Sequence, residues 1–482
     1  MARSVKVNFT LNMVNAGTQM LFPLLTFPYA CRVIMPEGIG QVNFFSSIIS
    51  YISLFTCLGI PMYAIREVAR VRDDIVKMNR TVAEILLLHM MLTVLGYLAV
   101  AVISLTVPQV KECVPLFLIL SLNILFGAMG CEWFYQGIED FLYITIRGLV
   151  VKVVSVILLF VLVRTKDDLL YYGWYSVLGA VGGNIFNFFR LRKYVHRENI
   201  VWRSLNIRRH IKPVLHVFSF NVVTSLYLQL NPVLLGFMKG ALAVGFFAAA
   251  TKIKTMLMKL STVLGSVMMP RAANLVAGHK SEEFNRLIQK SYDFTIAFTL
   301  PISAGLICCA PSLIRVFCGA EFAPAILTSQ IIAPVFFLVG MSNVMGIQVL
   351  YPIGKLNVVI TCCLIGAITD LVVCLLLIPG LSYNGTAIAY LIAEIATTVS
   401  MCIITRNYMP IALFKRQHLK YYSSTAIMCL ILYGESLLNY NNLSTLLIQG
   451  FTGILVYGLC LLLMKDELVS EIITMAKKKM RR

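Results

Sequence analysis

The sequence predicts an all-α polytopic membrane protein of about fourteen transmembrane helices, arranged as two pseudo-symmetric six-helix lobes plus two C-terminal helices. Three observations predict it. Of the 482 residues, 59% are hydrophobic and only 13% are charged, where an average globular domain carries about 25% charged residues. Mean hydropathy is +0.83. Apolar stretches of a length that crosses a bilayer, about 20 residues, recur along the whole chain. Lysine and arginine, finally, are distributed as alternating crossings require. With the N-terminus inside, 31 of the 41 fall on one side and six on the other. That bias puts both termini in the cytoplasm and favours an even helix count.

The fourteen apolar segments lie near residues 10–34, 41–63, 83–106, 114–133, 142–163, 170–192, 214–236, 241–266, 291–314, 325–350, 355–378, 385–406, 422–438 and 443–464. The first is longer than a signal-peptide core and lacks a small-residue cleavage site, so it is expected to remain as a helix. It carries Asn8, Asn12, Asn15 and Gln19, whose spacing of four, three and four puts them on one helix face. Carboxamides are costly against lipid, so that face is expected to meet a polar cavity or another helix. Pro23 and Pro28 predict a bend in the outer half. A turn, Met35-Pro36-Glu37-Gly38-Ile39-Gly40, joins the first segment to the second.

Segments one to six make an N-terminal lobe, residues 1–192. A basic cytoplasmic linker, 193–213, follows. Segments seven to twelve make a C-terminal lobe, 214–406, and residues 407–482 hold the last two segments and a basic tail. The basic stretch from Arg190 to Pro213 suits contact with anionic headgroups. The Arg271–Lys290 loop, in which Ser281-Glu282-Glu283 opens a helix pattern, is a second amphipathic candidate. The lobes read as repeats. Gly40-Gln-Val-Asn-Phe-Phe-Ser-Ser-Ile48 corresponds to Gly245-Phe-Phe-Ala-Ala-Ala-Thr-Lys-Ile253. Phe27-Pro28 and Asn231-Pro232 lie upstream, and Pro61 and Pro270 downstream, in the same order. Segments one and seven share an orientation, so the repeat is parallel, and a substrate is expected to pass between the halves.

Net charge is +19, which positive-inside loops explain without nucleic acid. The thirteen cysteines show no C-x-x-C pair and sit mostly in apolar segments, as small packing residues do. No P-loop, paired-carboxylate, His-Glu-x-x-His or G-x-S-x-G motif is present, so no catalytic residue, metal or cofactor is expected. The protein is expected to be a transporter rather than an enzyme.

The candidate residues are therefore polar groups inside apolar segments. Lys252, Lys254 and Lys259 fall in the eighth segment, and Lys152 in the fifth. A lysine at mid-depth costs roughly 2.5–3.5 kcal/mol on insertion scales. Lys252 and Lys259 share a face and Lys254 points elsewhere. Lys252 at mid-depth is the strongest cavity cation, while snorkelling suits Lys254 and Lys259. Arg32 at the outer end of segment one is read as a mouth residue or an interfacial anchor. Arg66 at the inner end of segment two is read as a further cation or an ordinary positive-inside residue. Asn221, Gln229 and Asn231 in segment seven echo the polar face of segment one. Asp370 and Glu394, the deepest acids of the second half, are candidates for binding H+ or Na+, or for neutralising the lysines. Mid-membrane cations in an apolar shell suit a phosphate or diphosphate on a lipid tail.

Several stretches resemble the bacterial polysaccharide flippases of the Wzx (O-antigen transporter) family, within the multidrug/oligosaccharidyl-lipid/polysaccharide (MOP) exporter superfamily. They are Leu21-Phe-Pro-Leu-Leu-Thr-Phe-Pro-Tyr29, Pro36-Glu-Gly-Ile-Gly40, Leu58-Gly-Ile-Pro61 and Ile65-Arg-Glu67. With them go Glu132-Trp-Phe-Tyr-Gln-Gly-Ile-Glu-Asp-Phe141 with Arg147, Val244-Gly-Phe-Phe247 and Met269-Pro-Arg271. The resemblance implies a MATE-like fold of fourteen helices in the bacterial inner membrane. It implies flipping of polyprenyl(undecaprenyl)-diphosphate-linked oligosaccharide from the cytoplasmic to the periplasmic leaflet by alternating access, with H+ or Na+ coupling. The implied setting is O-antigen, capsule or exopolysaccharide biosynthesis, with membrane lipids, a polysaccharide polymerase and a chain-length regulator as partners. The alternatives are a cation-coupled drug or metabolite exporter and a peptidoglycan-precursor flippase of the same superfamily. The absence of an acid before Glu37 in the first segment disfavours the drug-exporter branch.

Overall fold

A computed structural model describes residues 5–196, 198, 205–406, 408, 412, 415–438, 441–466 and 470. Among these, the side chains at 5–16, 19–20, 219–221, 223–228 and 259–267 lie outside the description. The chain divides into two compact units, Met1–Gly245 and Phe246–Arg482.

The first unit opens with α1 (Val5–Cys57), which holds the first two predicted segments in one run. The predicted turn is only a one-residue break. Met35 takes φ 66° and ψ 172°, and helix resumes directly behind it. Pro36 accounts for the extended ψ, since a residue before proline is pushed out of the helical region, and it is pre-set for the first position of the helix that follows. Pro23 and Pro28 lie inside α1. A second break follows at Leu58 (φ 42°) and Gly59 (φ 80°), where glycine tolerates the left-handed backbone. Then come α2 (Ile60–Val71) and α3 (Ile75–Thr106). The Asp74 carboxylate caps α3 by accepting from the Lys77 amide at 3.0 Å. The short α4 (Pro108–Lys111) leads to α5 (Val114–Met129), α6 (Glu132–Gly137) and α7 (Phe141–Leu162). After these run α8 (Leu169–Val181), α9 (Asn184–Leu191) and α10 (Arg208–Lys239).

The second unit takes most of α11 (Ala241–Ala277), then α12 (Ser281–Phe317), which starts at the predicted Ser281. Next is α13 (Ala325–Asn343), which continues into a π-helical stretch, Val344–Leu350. α14 (Leu356–Arg406) spans two predicted segments with a break at Ser382, φ 51°. α15 (Arg416–Ser436) and α16 (Asn442–Leu463) end the series. All fourteen apolar segments thus fall on helix, and among the described residues nine helical stretches are long and apolar enough to cross a bilayer. Two of those are 51 residues long and contain a break.

Packing follows from the amphiphile that surrounds such a chain. On α3, Met91, Val94, Leu95, Leu98, Val102 and Leu105 are all exposed, as an apolar face turned to lipid would be. Inside the first unit, Tyr63, Val82, Trp133, Phe134 and Tyr135 share a core. In the second, Tyr292, Met345, Val349, Met401 and Tyr421 do so. The two glycines matched in the sequence repeat, Gly40 and Gly245, lie against one another's segments within the first unit. A Cβ on Gly40 would collide with the Ala241 carbonyl, and one on Gly245 with the Pro36 carbonyl. Only glycine lets these two helical stretches approach backbone to backbone.

Candidate functional site

A buried cation lies in the second unit. Residues Phe246 to Ala250 of α11 are all buried, and so is Lys254, at 7% exposure. The Lys254 ammonium donates to the Tyr390 hydroxyl at 2.5 Å and sits 4.4 Å from that ring's centroid. A desolvated ammonium over a tyrosine gains both a hydrogen bond and a cation–π term. Tyr390 and Glu394 lie one turn apart on α14, and Glu394 is buried at 4%. Asp370, earlier in α14, is fully buried, and its carboxylate oxygen lies 3.8 Å from Cys374 Sγ. Glu394 is in electrostatic reach of Lys254, and both acids are in reach of Tyr390. One lysine, one tyrosine and two acids thus form a charged group inside apolar helices. Such a group can bind an anion at the ammonium or a proton or cation at the carboxylates.

The other sequence candidates are placed as follows. Lys252 is half-buried on α11, off the face that buries Lys254. Lys152 is half-buried on α7. Arg32 is exposed and donates to the Pro28 carbonyl of its own helix at 3.3 Å. Arg66 is exposed on α2, 3.6 Å from Glu67. Gln229 is half-buried and Asn231 buried on α10. The side chains of Asn8, Asn12, Asn15, Gln19, Asn221 and Lys259 lie outside the described residues.

Two further buried clusters, centred on Glu84 and Asp293, hold groups that were not among the sequence candidates. In the first unit, Glu84 of α3 is fully buried. It accepts from Arg80 Nε at 2.9 Å, His210 Nε2 at 2.8 Å and the Asn206 amide at 2.8 Å. Arg209 pairs with it at 2.5 Å. The Tyr63 hydroxyl lies 2.7 Å from His210 Nδ1; a neutral ring that donates from Nε2 to Glu84 accepts there from Tyr63. In the second unit, Asp293 of α12 accepts from His418 Nε2 at 2.9 Å, Gln289 at 2.7 Å and Lys415 at 3.3 Å. Each cluster joins the start of a later helix to an earlier helix of its own unit. The only signal in the sequence was a carboxylate close to the end of an apolar segment, which pairing across more than a hundred residues makes invisible.

Residues 5–276, more than half of the chain, match the family described as "Polysaccharide biosynthesis protein". The chain belongs to that family. A "Putative O-antigen transporter" of Shigella dysenteriae is 25% identical over 401 residues, covering 82% of this chain and 99% of the relative. A protein of the same name from Escherichia coli (strain K12) is 26% identical over 408 residues, covering 84% and 97%. Among solved structures, the Lipid II flippase MurJ in an inward closed conformation aligns with a TM-score of 0.65 at 16% identity. It covers 93% of this chain and 99% of its own. An inward-facing multidrug resistance MATE family transporter of the MOP superfamily aligns with a TM-score of 0.61 at 13% identity, covering 85% and 95%. The family member therefore has the fold of these MOP-superfamily structures, as the resemblance implied, with the apolar helices of a multi-pass membrane protein.

Proposed function

We propose that this chain flips a polyprenyl-diphosphate-linked oligosaccharide from the cytoplasmic to the periplasmic leaflet of a bacterial inner membrane, by alternating access. Both termini are cytoplasmic in this reading, which follows the 31-to-6 split of lysines and arginines. A polysaccharide polymerase and a chain-length regulator are the expected partners downstream. Two relatives bearing the O-antigen transporter name, matched over nearly their whole length, support the substrate class. The observation that carries the anionic cargo is Lys254. A buried ammonium is costly in an apolar helix, and a diphosphate is the group that would reward keeping it there.

Asp370 and Glu394 are the proposed H+ or Na+ sites, coupled to cargo through their nearness to Lys254 and Tyr390. The same acids are what favours the second reading, a cation-coupled exporter of drugs or metabolites. The two readings part on one experiment. Deleting the gene should leave lipid-linked glycan facing the cytoplasm, and the wild-type chain should restore surface polysaccharide. Lys254→Met should fail to restore it while the protein remains in the membrane, and Lys254→Arg should restore part. Lys252→Met should cost less than Lys254→Met. Normal surface glycan in Lys254→Met cells would remove the anionic-cargo reading. Glycan already facing the periplasm in the deletion strain would remove the flippase reading altogether.

A further inference from the structure

A groove in the first unit has the chemistry of a lipid headgroup site. It encloses about 790 Å³ between α7 and α9, and Asp140, Tyr143, Arg147, Val150, Phe186 and Arg190 are among its walls. Nothing in the proposed transport cycle uses it.

Arg147 projects from α7 with its side chain only 11% exposed. Its donors are barely engaged. Nη1 reaches the Gly183 carbonyl at a long 3.4 Å, and Nη2 lies 3.9 Å from Glu132, beyond hydrogen-bond range. Nε is enclosed without a hydrogen-bond partner. A guanidinium this buried, held at its Nη atoms by only one long hydrogen bond and one distant carboxylate, is under-satisfied, and a nearer acceptor at Nη would stabilise it. Gly183 lets the arginine pack this closely, since a Cβ at that position would press on Nε. Arg190 forms the opposite wall. Its guanidinium stacks over the Tyr143 ring, 3.7 Å from the centroid, and Nη2 donates to Asp140 at 2.9 Å. Asp140 offsets one of the two guanidinium charges. Glu132 is not part of the lining. The walls thus carry two cations and one acid, and Glu132, behind Arg147 at 3.9 Å, offsets part of the remaining charge.

The rest of the groove is apolar. Ile146, Val150, Phe186 and Phe189 line it and are exposed beside it, in a chain whose exposed apolar faces meet hydrocarbon. Both arginines stand at the helix ends that carry the basic excess, where headgroups lie. A soluble anion would leave the apolar walls uncovered. An amphiphile with one negative charge and an alkyl chain would match both parts.

We propose that this groove binds an anionic glycerophospholipid, with its phosphodiester between Arg147 and Arg190 and one acyl chain along Val150 and Phe186. The test uses the purified full chain in mild detergent, titrated with phosphatidylglycerol and read by native mass spectrometry. Wild type should retain one tightly held phosphatidylglycerol in preference to phosphatidylcholine. Arg147→Gln should weaken that binding at least tenfold, about 1.4 kcal/mol, the worth of one charge-assisted pair. Val150→Trp fills the apolar wall from an exposed position and leaves both arginines in place; it should weaken binding comparably, and decides the matter if Arg147→Gln does not fold. Binding unchanged in the folded variants would overturn the proposal. So would an equal loss in Arg192→Gln, outside the groove, which would mean a diffuse basic surface. Displacement by millimolar glycerol 3-phosphate as effective as by lipid would also overturn it, in favour of a soluble anion.

Discussion

Glu84→Gln is the substitution with the largest expected effect on the first unit. The carboxylate has no exposure and gathers three positively charged or polar side chains, Arg80, Arg209 and His210, together with the Asn206 amide. Gln keeps the shape, but one of its two terminal atoms becomes a donor facing other donors. Removing one member of a buried ion pair costs about 3–5 kcal/mol, because the remaining charges lose their compensation. The value should sit at the lower end, since Arg80 and Arg209 are 40% and 44% exposed and regain water. Trp133 belongs to the same core as Tyr63 and Val82, so its fluorescence reports unfolding of this region. A thermal scan of the purified protein should show an apparent melting point lower by roughly 6–12 °C, taking about 2–4 °C per kcal/mol for a unit of this size. Arg209→Ala should cost well under half as much. Were Glu84→Gln to melt within a degree or two of wild type, or Arg209→Ala to cost as much as Glu84→Gln, the carboxylate would not be the hub that these distances describe.

Gly40→Ala should destabilise by about 1–3 kcal/mol or more, since its methyl would meet the Ala241 backbone and not a movable side chain; expression and melting temperature check this. His210 is held neutral, because burial outweighs the neighbouring Glu84 and pushes its pKa below the usual value. A lowered folded-state pKa means that stability is full above about pH 6.5 and falls as pH drops below it. A pH series of melting points should therefore decline on the acid side, and decline less in His210→Gln. In the second unit, Asp293→Asn should cost about 1.5–3 kcal/mol through its bonds to His418 and Lys415, measured by the same scan.

The helices were legible because lipid imposes a rule that sequence alone can express: every crossing must be apolar and long. All fourteen segments therefore landed on helix, and Ser281 was read correctly as the start of α12. Breaks were legible where proline dictates the backbone, as at Met35-Pro36, and less so at Leu58-Gly59, where two left-handed residues split an apolar run that reads as continuous. What stays hidden is helix phase. A soluble helix reveals its inner face by alternating polar and apolar residues, but in a lipid-facing protein both faces are apolar. From Phe246 to Ala250 every residue of α11 is buried, so nothing in that run says which way the next turn points. Depth alone singled out Lys252. The neighbouring helix adds what depth does not, a hydroxyl and a ring of Tyr390, and these meet Lys254. The same reasoning covers Glu84 and His210. Their pairing is set by how α3 and α10 pack, and neither residue carries a mark in its own segment that names the other. Charged groups in such a protein are thus placed by sequence in depth only, and their partners are fixed by rotation about each helix axis.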